Sequence, residues 1–438
     1  MTSSNRDIRS PTSYYGPPMA KGALRRHRDF RLLWGGETVS ELGSQVSLLA
    51  IPLLAVKTLH ATTFEMGLLT AASTAAFLIV GLPAGVWVDR VRRRRLMIGA
   101  DLGRVLALGS VPIAYAVGDL TLIQLFVVTL ASGILTVFFD VAYQSYLPAL
   151  VGRAHLVEGN AKLTGSAQVA AVAGPSVAGG LVQAIGSSAA VAVDAGSFLI
   201  SAVAVGAIRT PEPKPAPPEG GHPKLVQGMA EGLRFVFGNA LLRAIAATTA
   251  TSNLFSGIAA AVEIVFLVRQ VHASAGVIGL LFALGGVGGV AGALAAGPIA
   301  RRFGGARATI IGIACSVGAL LIPLTVPGAG LLYFGFGFLM VSFAATVYNV
   351  NQVSFRQRLC PDRLLGRMNA TMRFVVWGVL PVGALVGGIL GAVFGLRTTL
   401  WVGAVGQALA GIWLLASPMR SLRDFPDTPP EPERNGEV

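Results

Sequence analysis

The sequence predicts an all-α integral membrane protein, with twelve transmembrane helices arranged as two six-helix bundles related by a pseudo-two-fold axis along the membrane normal. Three observations carry this. Only 13% of the 438 residues are charged and 53% are hydrophobic, whereas an ordinary soluble protein carries about 25% charged residues; the mean hydropathy is +0.67. Apolar runs of about 20 residues, each enough to cross a bilayer as a helix, recur twelve times. With the N-terminus inside, only Lys57, Arg269 and Arg397 of the 34 Lys and Arg residues fall outside, and the rest lie in cytoplasmic segments or helix ends. An even number of spans with both termini cytoplasmic, in the cell membrane, satisfies that asymmetry; a miscount by one helix scrambles it.

Residues 1–30 are polar and basic and read as a cytoplasmic segment, because no cleavage site of small residues follows the first apolar run. The N-terminal bundle, 31–209, holds spans near 33 to 56, 64 to 88, 96 to 117, 120 to 143, 161 to 184 and 189 to 208. Between the bundles, RTPEPKPAPPEGGHPK, Arg209 to Lys224, is too rich in proline and too polar to pack, so 210–238 reads as a cytoplasmic linker. The C-terminal bundle, 239–417, holds spans near 241 to 268, 274 to 299, 308 to 326, 330 to 353, 367 to 392 and 397 to 416, and 418–438 reads as a disordered cytoplasmic tail.

The net charge of +13 invites a nucleic-acid reading. That reading needs a basic face on a soluble domain, and no polar segment is long enough to form one, so nucleic acid is excluded as a partner. The run Arg90 to Arg95 instead fixes a short loop on the cytoplasmic side and attracts anionic membrane lipids. Cys315 falls in a predicted span and Cys360 in a predicted cytoplasmic loop, which gives neither a disulfide framework nor a metal-ligand cluster. No P-loop, zinc motif or nucleophile elbow appears, so an enzymatic reaction has no residues to carry it. The glycines from Leu284 to Gly297 repeat at small-xxx-small spacing, which suits close helix packing.

The two halves echo each other. VGRAHLVEGNA before span five parallels CPDRLLGRMNA before span eleven, and Gly179 and Gly180 match Gly387 and Gly388 at nearly the same offset. Between spans two and three stand Gly85, Asp89, Arg90, Arg93 and Arg94, and in span five stand Gly174, Pro175, Gly179 and Gly180 within AGPSVAGG. These resemble, respectively, the loop signature of the major facilitator superfamily and the element typical of its antiporters. Arg92 departs from the glycine of the first pattern and Ala178 from a glycine of the second. With FRLLWGGETVSELG in span one and FDVAYQSYLPALV after span four, the chain from Phe30 to about Ser417 resembles the drug and siderophore exporters of bacteria, among them macrolide efflux proteins and enterobactin exporters. A degraded copy of the loop signature, Gly297, Arg302, Gly304 and Arg307, has Arg301 where the Asp belongs.

Glu41, inside span one, leads the proton-coupling candidates, because a carboxyl group at that depth finds a partner or takes up a proton. The bland alternative is a hydrogen bond to a neighbouring helix. Glu263 in span seven is the second candidate, near the outer end. Glu37, a turn nearer the interface, reads as solvated, and Asp194 as an end residue of span six. The resemblance implies that spans one, four, seven and ten line a central cavity, which makes Gln45, Asn253, Tyr348 and Asn349 candidate contacts for substrate, against a role in helix-to-helix hydrogen bonds. It further implies a cytoplasmic latch between the halves, formed by the loop signature with Asp101, Arg104, Asp140 and Arg373, with Asp89 meeting the N-terminal end of span eleven.

These readings converge on a monomeric secondary transporter that exports an amphipathic small molecule in exchange for protons. It needs no cofactor or metal beyond the proton gradient as energy source. The alternatives are an importer, a facilitator or a lysophospholipid flippase of the same fold, and a non-transporting receptor or scaffold that kept the fold.

Overall fold

The computed structural model describes residues 24, 27–88, 90–152, 155–212, 225–360 and 362–424. Six helices build the first half: α1 (Arg28–Lys57), α2 (Thr63–Val88), α3 (Arg93–Val117), α4 (Leu122–Val151), α5 (Leu156–Ile185) and α6 (Ser187–Gly206). After α7 (Leu225–Gly238) the second half holds α8 (Ala240–Arg269), α9 (Ala275–Phe303), α10 (Gly305–Ala314), α11 (Leu331–Leu359), α12 (Asp362–Trp377), α13 (Val379–Phe394), α14 (Leu396–Leu409) and α15 (Ile412–Leu415). Among the described residues twelve helical spans are long and apolar enough to cross a membrane, and no strand is present.

Several helices start at residues whose side chains satisfy the first free amides. Thr121 caps α4, Asn239 caps α8 and Ser274 caps α9. At α1 the ring nitrogen Nδ1 of His27 accepts from the Phe30 amide at 3.1 Å, so the helix begins at Arg28, five residues before the predicted start of span one. The one-residue turns at Gly186, between α5 and α6, and Gly395, between α13 and α14, have φ of +82° and +87°, a conformation that side chains resist. They occupy equivalent places in the two halves. The packing repeats as well: α1 lies against α5 and α6, as α8 lies against α13 and α14.

Three elements depart from the predicted spans. Span nine runs Gly305–Leu324, but it tightens into a 3-10 helix at Cys315. Span eleven is divided, α12 ending at Trp377 and α13 beginning at Val379. The predicted linker contains α7, and Cys360, expected in a loop, is the buried C-cap of α11.

An even number of spans puts the start of α1 and the end of the last span on one face, called here the terminal face; the opposite is the far face. On the far side a single apolar core draws on both halves, through residues such as Leu54, Met66, Val182, Val265, Ile278 and Ala384. Toward the terminal face it splits into one core per half, around Phe30 and Phe139 in the first and Phe355 and Met368 in the second. The far-side seams are backbone against backbone. A Cβ built on Gly179 would stand 2.9 Å from Cα of Gly279, and one on Gly67 would stand 2.6 Å from Cα of Gly388, so only glycine permits either approach. Two hydrogen bonds fasten the same side, Arg269 Nη2 to the Ala61 carbonyl at 2.6 Å and the Gly276 amide to Gln183 Oε1 at 3.0 Å.

Candidate functional site

Inside the first half lies a layer of ionisable side chains. Glu37 and Glu41 come from α1, Asp101 and Arg104 from α3, Asp140 from α4 and Asp194 from α6. Each sits eight to thirteen residues from the terminal-face end of its helix, about 12–20 Å deep at 1.5 Å per residue. Four helices of different direction thus converge on one level.

Arg104 organises the layer. Its guanidinium is 4% exposed and pairs with the fully buried Asp101 one turn back on α3. Nη1 donates to Thr136 Oγ1 at 3.3 Å, and the rings of Phe139 and Phe198 flank the group at 4.7 and 4.0 Å. All five carboxyl groups lie within its electrostatic reach. Glu37, Glu41 and Asp140 in turn reach one another's field around the Tyr143 hydroxyl. The Oε2 atom of Glu37 is buried without a hydrogen-bond partner. Asp194 is 1% exposed and accepts from Ser197 Oγ at 3.2 Å.

Two sequence expectations are corrected here. Glu37 is not solvated, because α1 begins earlier than predicted and places it nine residues deep. Asp194 is not an end residue; it faces α1 where Gly43 leaves room, since a Cβ there would come within 2.6 Å of its Oδ1. The available signals were the one-turn spacing of Glu37 and Glu41, and the serines at 197 and 201 that follow Asp194 on its own face.

The remaining candidates are distributed as follows. Glu41 belongs to the layer. Glu263 is half-buried near the far end of α8 and makes no hydrogen bond or ion pair among the described residues. Gln45 lies on α1 against Gly174, where a Cβ would meet its Cγ at 2.5 Å, while Pro175, Gly179 and the α9 residue Gly279 form the far-side seam. A Cβ on Gly180 would meet nothing within 4 Å outside its own helix. Asn349 is exposed on α11 and accepts from Gln352 Nε2 at 2.9 Å. Tyr348 is 4% exposed, and its hydroxyl meets Thr249 Oγ1 at 2.7 Å and the Ile245 carbonyl at 3.2 Å, within the packed second half. Asn253 donates to the Val376 carbonyl at 2.8 Å.

Of the expected latch, Asp89 lies outside the described residues and Gly85 falls within α2. Arg90 is exposed. The amides of Arg93 and Arg94 donate to the Glu212 carboxylate at 2.7 and 3.2 Å, and the Arg94 side chain donates to the Val205 and Gly206 carbonyls that end α6. Arg373 lies over Phe77 of α2 at 4.4 Å, and its field reaches Asp140 across the halves.

The sequence reading missed the carboxylates that pin each half at its terminal face. Glu212, just past α6, caps the start of α3; Asp424, just past the last span, accepts from the Gly305 amide at 2.9 Å and caps the start of α10. Asp29 adds a second clasp, accepting from the Arg209 and Thr210 amides and the Thr210 hydroxyl at 3.1, 2.8 and 2.6 Å. The first residues of the predicted linker and of the predicted disordered tail are therefore packed parts of the two bundles.

Twelve spans in two repeated halves, with a charged layer buried between the faces, define a polytopic membrane transporter. The chain belongs to the Major Facilitator Superfamily, whose sequence profile matches residues 33–379 and 245–438. It is 26% identical over 388 residues to the multidrug efflux pump Tap of Mycolicibacterium fortuitum, covering 84% of this chain and 91% of that protein. It is 25% identical over 427 residues to the enterobactin exporter EntS of Citrobacter koseri, covering 94% and 96%. Among solved structures, a bacterial homologue of the iron transporter ferroportin in an inward-facing state superposes with a TM-score of 0.68 at 15% identity, covering 89% of this chain and 98% of that one. The nucleoside transporter NupG gives 0.74 at 12% identity, covering 90% and 99%, and both likenesses concern the fold.

Proposed function

We propose that the protein exports an amphipathic small molecule across the cytoplasmic membrane in exchange for protons, by alternating access between its two halves. The observation that carries this is the buried layer of five carboxyl groups around one guanidinium. Ionised together, they would leave four uncompensated charges in a low-dielectric interior, each costing several kcal/mol; proton uptake removes that cost, and release on the other side returns it. Glu41 is the leading carrier and Glu37 its neighbour one turn away, with Asp194 behind them. Glu263 is the secondary candidate, in the other half.

With the termini in the cytoplasm, a fused core on the far side and separate cores on the terminal side correspond to an inward-facing arrangement. Gln45 and Asn349 are the polar positions on offer to a solute between the halves, and the loop signature from Asp89 to Arg94 is the latch that engages when the terminal face closes, adding to the contact of Arg373 over Phe77 that already spans the halves. The names of the relatives, an efflux pump and a siderophore exporter, support outward transport of a drug-like or siderophore-like molecule.

The test is efflux into vesicles with an imposed pH gradient. Glu41→Gln should abolish the pH-driven component while substrate binding stays measurable. Unchanged coupled transport would remove Glu41 from the mechanism, and equilibration of the solute without regard to the gradient would make the protein a facilitator.

A further inference from the structure

The break in the eleventh span has a strap. At the end of α12 the Phe374 carbonyl still accepts from the Gly378 amide at 2.9 Å, but Pro381 in the first turn of α13 has no amide hydrogen to give the Trp377 carbonyl four residues back. Beside that gap, the Asn253 side-chain amide on α8 donates to the neighbouring Val376 carbonyl at 2.8 Å. Proline alone does not break a span in this fold, because α5 runs unbroken from Leu156 to Ile185 through Pro175.

The two pieces of the span are held very differently. α13 is fixed on both sides by backbone contact. A Cβ on Gly257 of α8 would stand 2.7 Å from the Leu380 carbonyl oxygen, and one on Gly388 would stand 3.0 Å from Cα of Gly67 on α2. α12 instead carries side-chain contacts across the halves, Trp377 against Phe77 at 5.2 Å between ring centres and Arg373 over the same ring. A Cβ on Gly378, at the joint, would meet the Phe374 carbonyl oxygen at 2.5 Å and, from the other half, Leu78 Cδ1 at 3.1 Å. α7 rides on α12 through the Glu231 to Arg367 ion pair and through Gly232, whose missing Cβ leaves room for the Arg367 carbonyl.

We propose that Asn253 is a positioning residue that holds this joint open, so that α12, with α7 attached, turns as a unit about Gly378 while α13 stays fixed to α8 and α2. The hinge is a feature of the fold; its consequence for transport rests on the exporter reading above.

Hydrogen exchange on the full-length protein in lipid nanodiscs tests it without any substrate. Asn253→Leu, and Asn253→Ser should the first variant not fold, should speed exchange of the amides between Phe374 and Leu380 by roughly three- to tenfold, the size of one hydrogen bond. Pro381→Ala, which restores a donor for the Trp377 carbonyl and so ties α12 to α13, should slow the same amides by a similar factor, and the double variant should return toward the wild-type rate. Unchanged exchange in both Asn253 variants overturns the proposal, as does an equal increase throughout α8 and α13, which would mark general loosening. In vesicles, Pro381→Ala should lower transport at least tenfold with substrate binding retained. Full transport by a variant whose exchange has slowed would refute the hinge and leave the exporter reading standing.

Discussion

Replacing Arg104 by methionine tests whether the carboxyl layer is organised as the structure indicates. The substitution keeps much of the side-chain volume between Phe139 and Phe198 but removes the charge, leaving Asp101 fully buried with no cation beside it. Breaking one partner of a buried pair costs about 3–5 kcal/mol, and the two ring contacts add to the loss. For a half of this size, 3 kcal/mol corresponds to a fall in Tm of about 6 °C or more. Thermal unfolding followed by intrinsic fluorescence in detergent reads this directly. The double variant Asp101→Leu with Arg104→Met removes both charges, and should recover at least half of the loss, since a buried pair replaced by apolar groups is often nearly neutral. It should fold yet fail to drive efflux. A single variant within 1 °C or so of the wild type, or a double variant as unstable as the single, would show that Arg104 does not hold the layer together.

Other perturbations address the remaining parts. Asp89→Asn should insert normally, by membrane-fraction immunoblot, and transport poorly, whereas normal transport would reduce the arginine loop to an orientation signal. Gly179→Leu puts a side chain where the Ala275 carbonyl and Cα of Gly279 already stand, so it should pry the far-side seam apart, seen as faster labelling of a cysteine at position 172 by an impermeant maleimide added from outside. Glu212→Ala and Asp424→Ala each remove a carboxylate cap, and each should lower stability by about 1 kcal/mol, with Glu212→Ala the larger because it frees two amides. Equal stability of all three proteins would mean the clasps are incidental.

The fold was legible because membrane spans announce themselves by length, and orientation by the placement of Lys and Arg. The repeat was visible in Gly179 and Gly180 against Gly387 and Gly388, and backbone contacts at Gly179 and Gly388 explain why these residues have no side chain. Depth was harder to read. A start at Arg28 instead of five residues later moves Glu37 from the interface to the buried layer, and hydropathy averaged over a window does not resolve about one and a half turns. Nor does composition show a contact made in trans. Glu212 sits in a proline-rich stretch that reads as linker, yet it serves the start of a helix 118 to 119 residues earlier in the chain. Asn253 was legible as a polar residue facing inward, but its partner is a backbone carbonyl made available by a helix break that hydropathy smooths over.

The two halves share a fold and divide the chemistry. In the first, span one carries Glu37 and Glu41 into a layer completed by α3, α4 and α6; in the second, span seven carries Asn253 at a middle turn and Glu263 near its far end. The proline-bearing spans diverge accordingly. Pro175 lies in a continuous helix pressed against α9, while Pro381 follows a break whose carbonyl Asn253 captures. On the exporter reading, protonation changes the charge balance of the first half, and the second half supplies the piece that turns. Arg373 joins the two, since it rides on α12 while its field reaches Asp140. A proton on Asp140 weakens that attraction, and an ionised Asp140 strengthens it. Arg373→Gln should therefore leave each half intact, by thermal unfolding, while uncoupling transport from the pH gradient. Retained coupling would mean the signal crosses between the halves by another route.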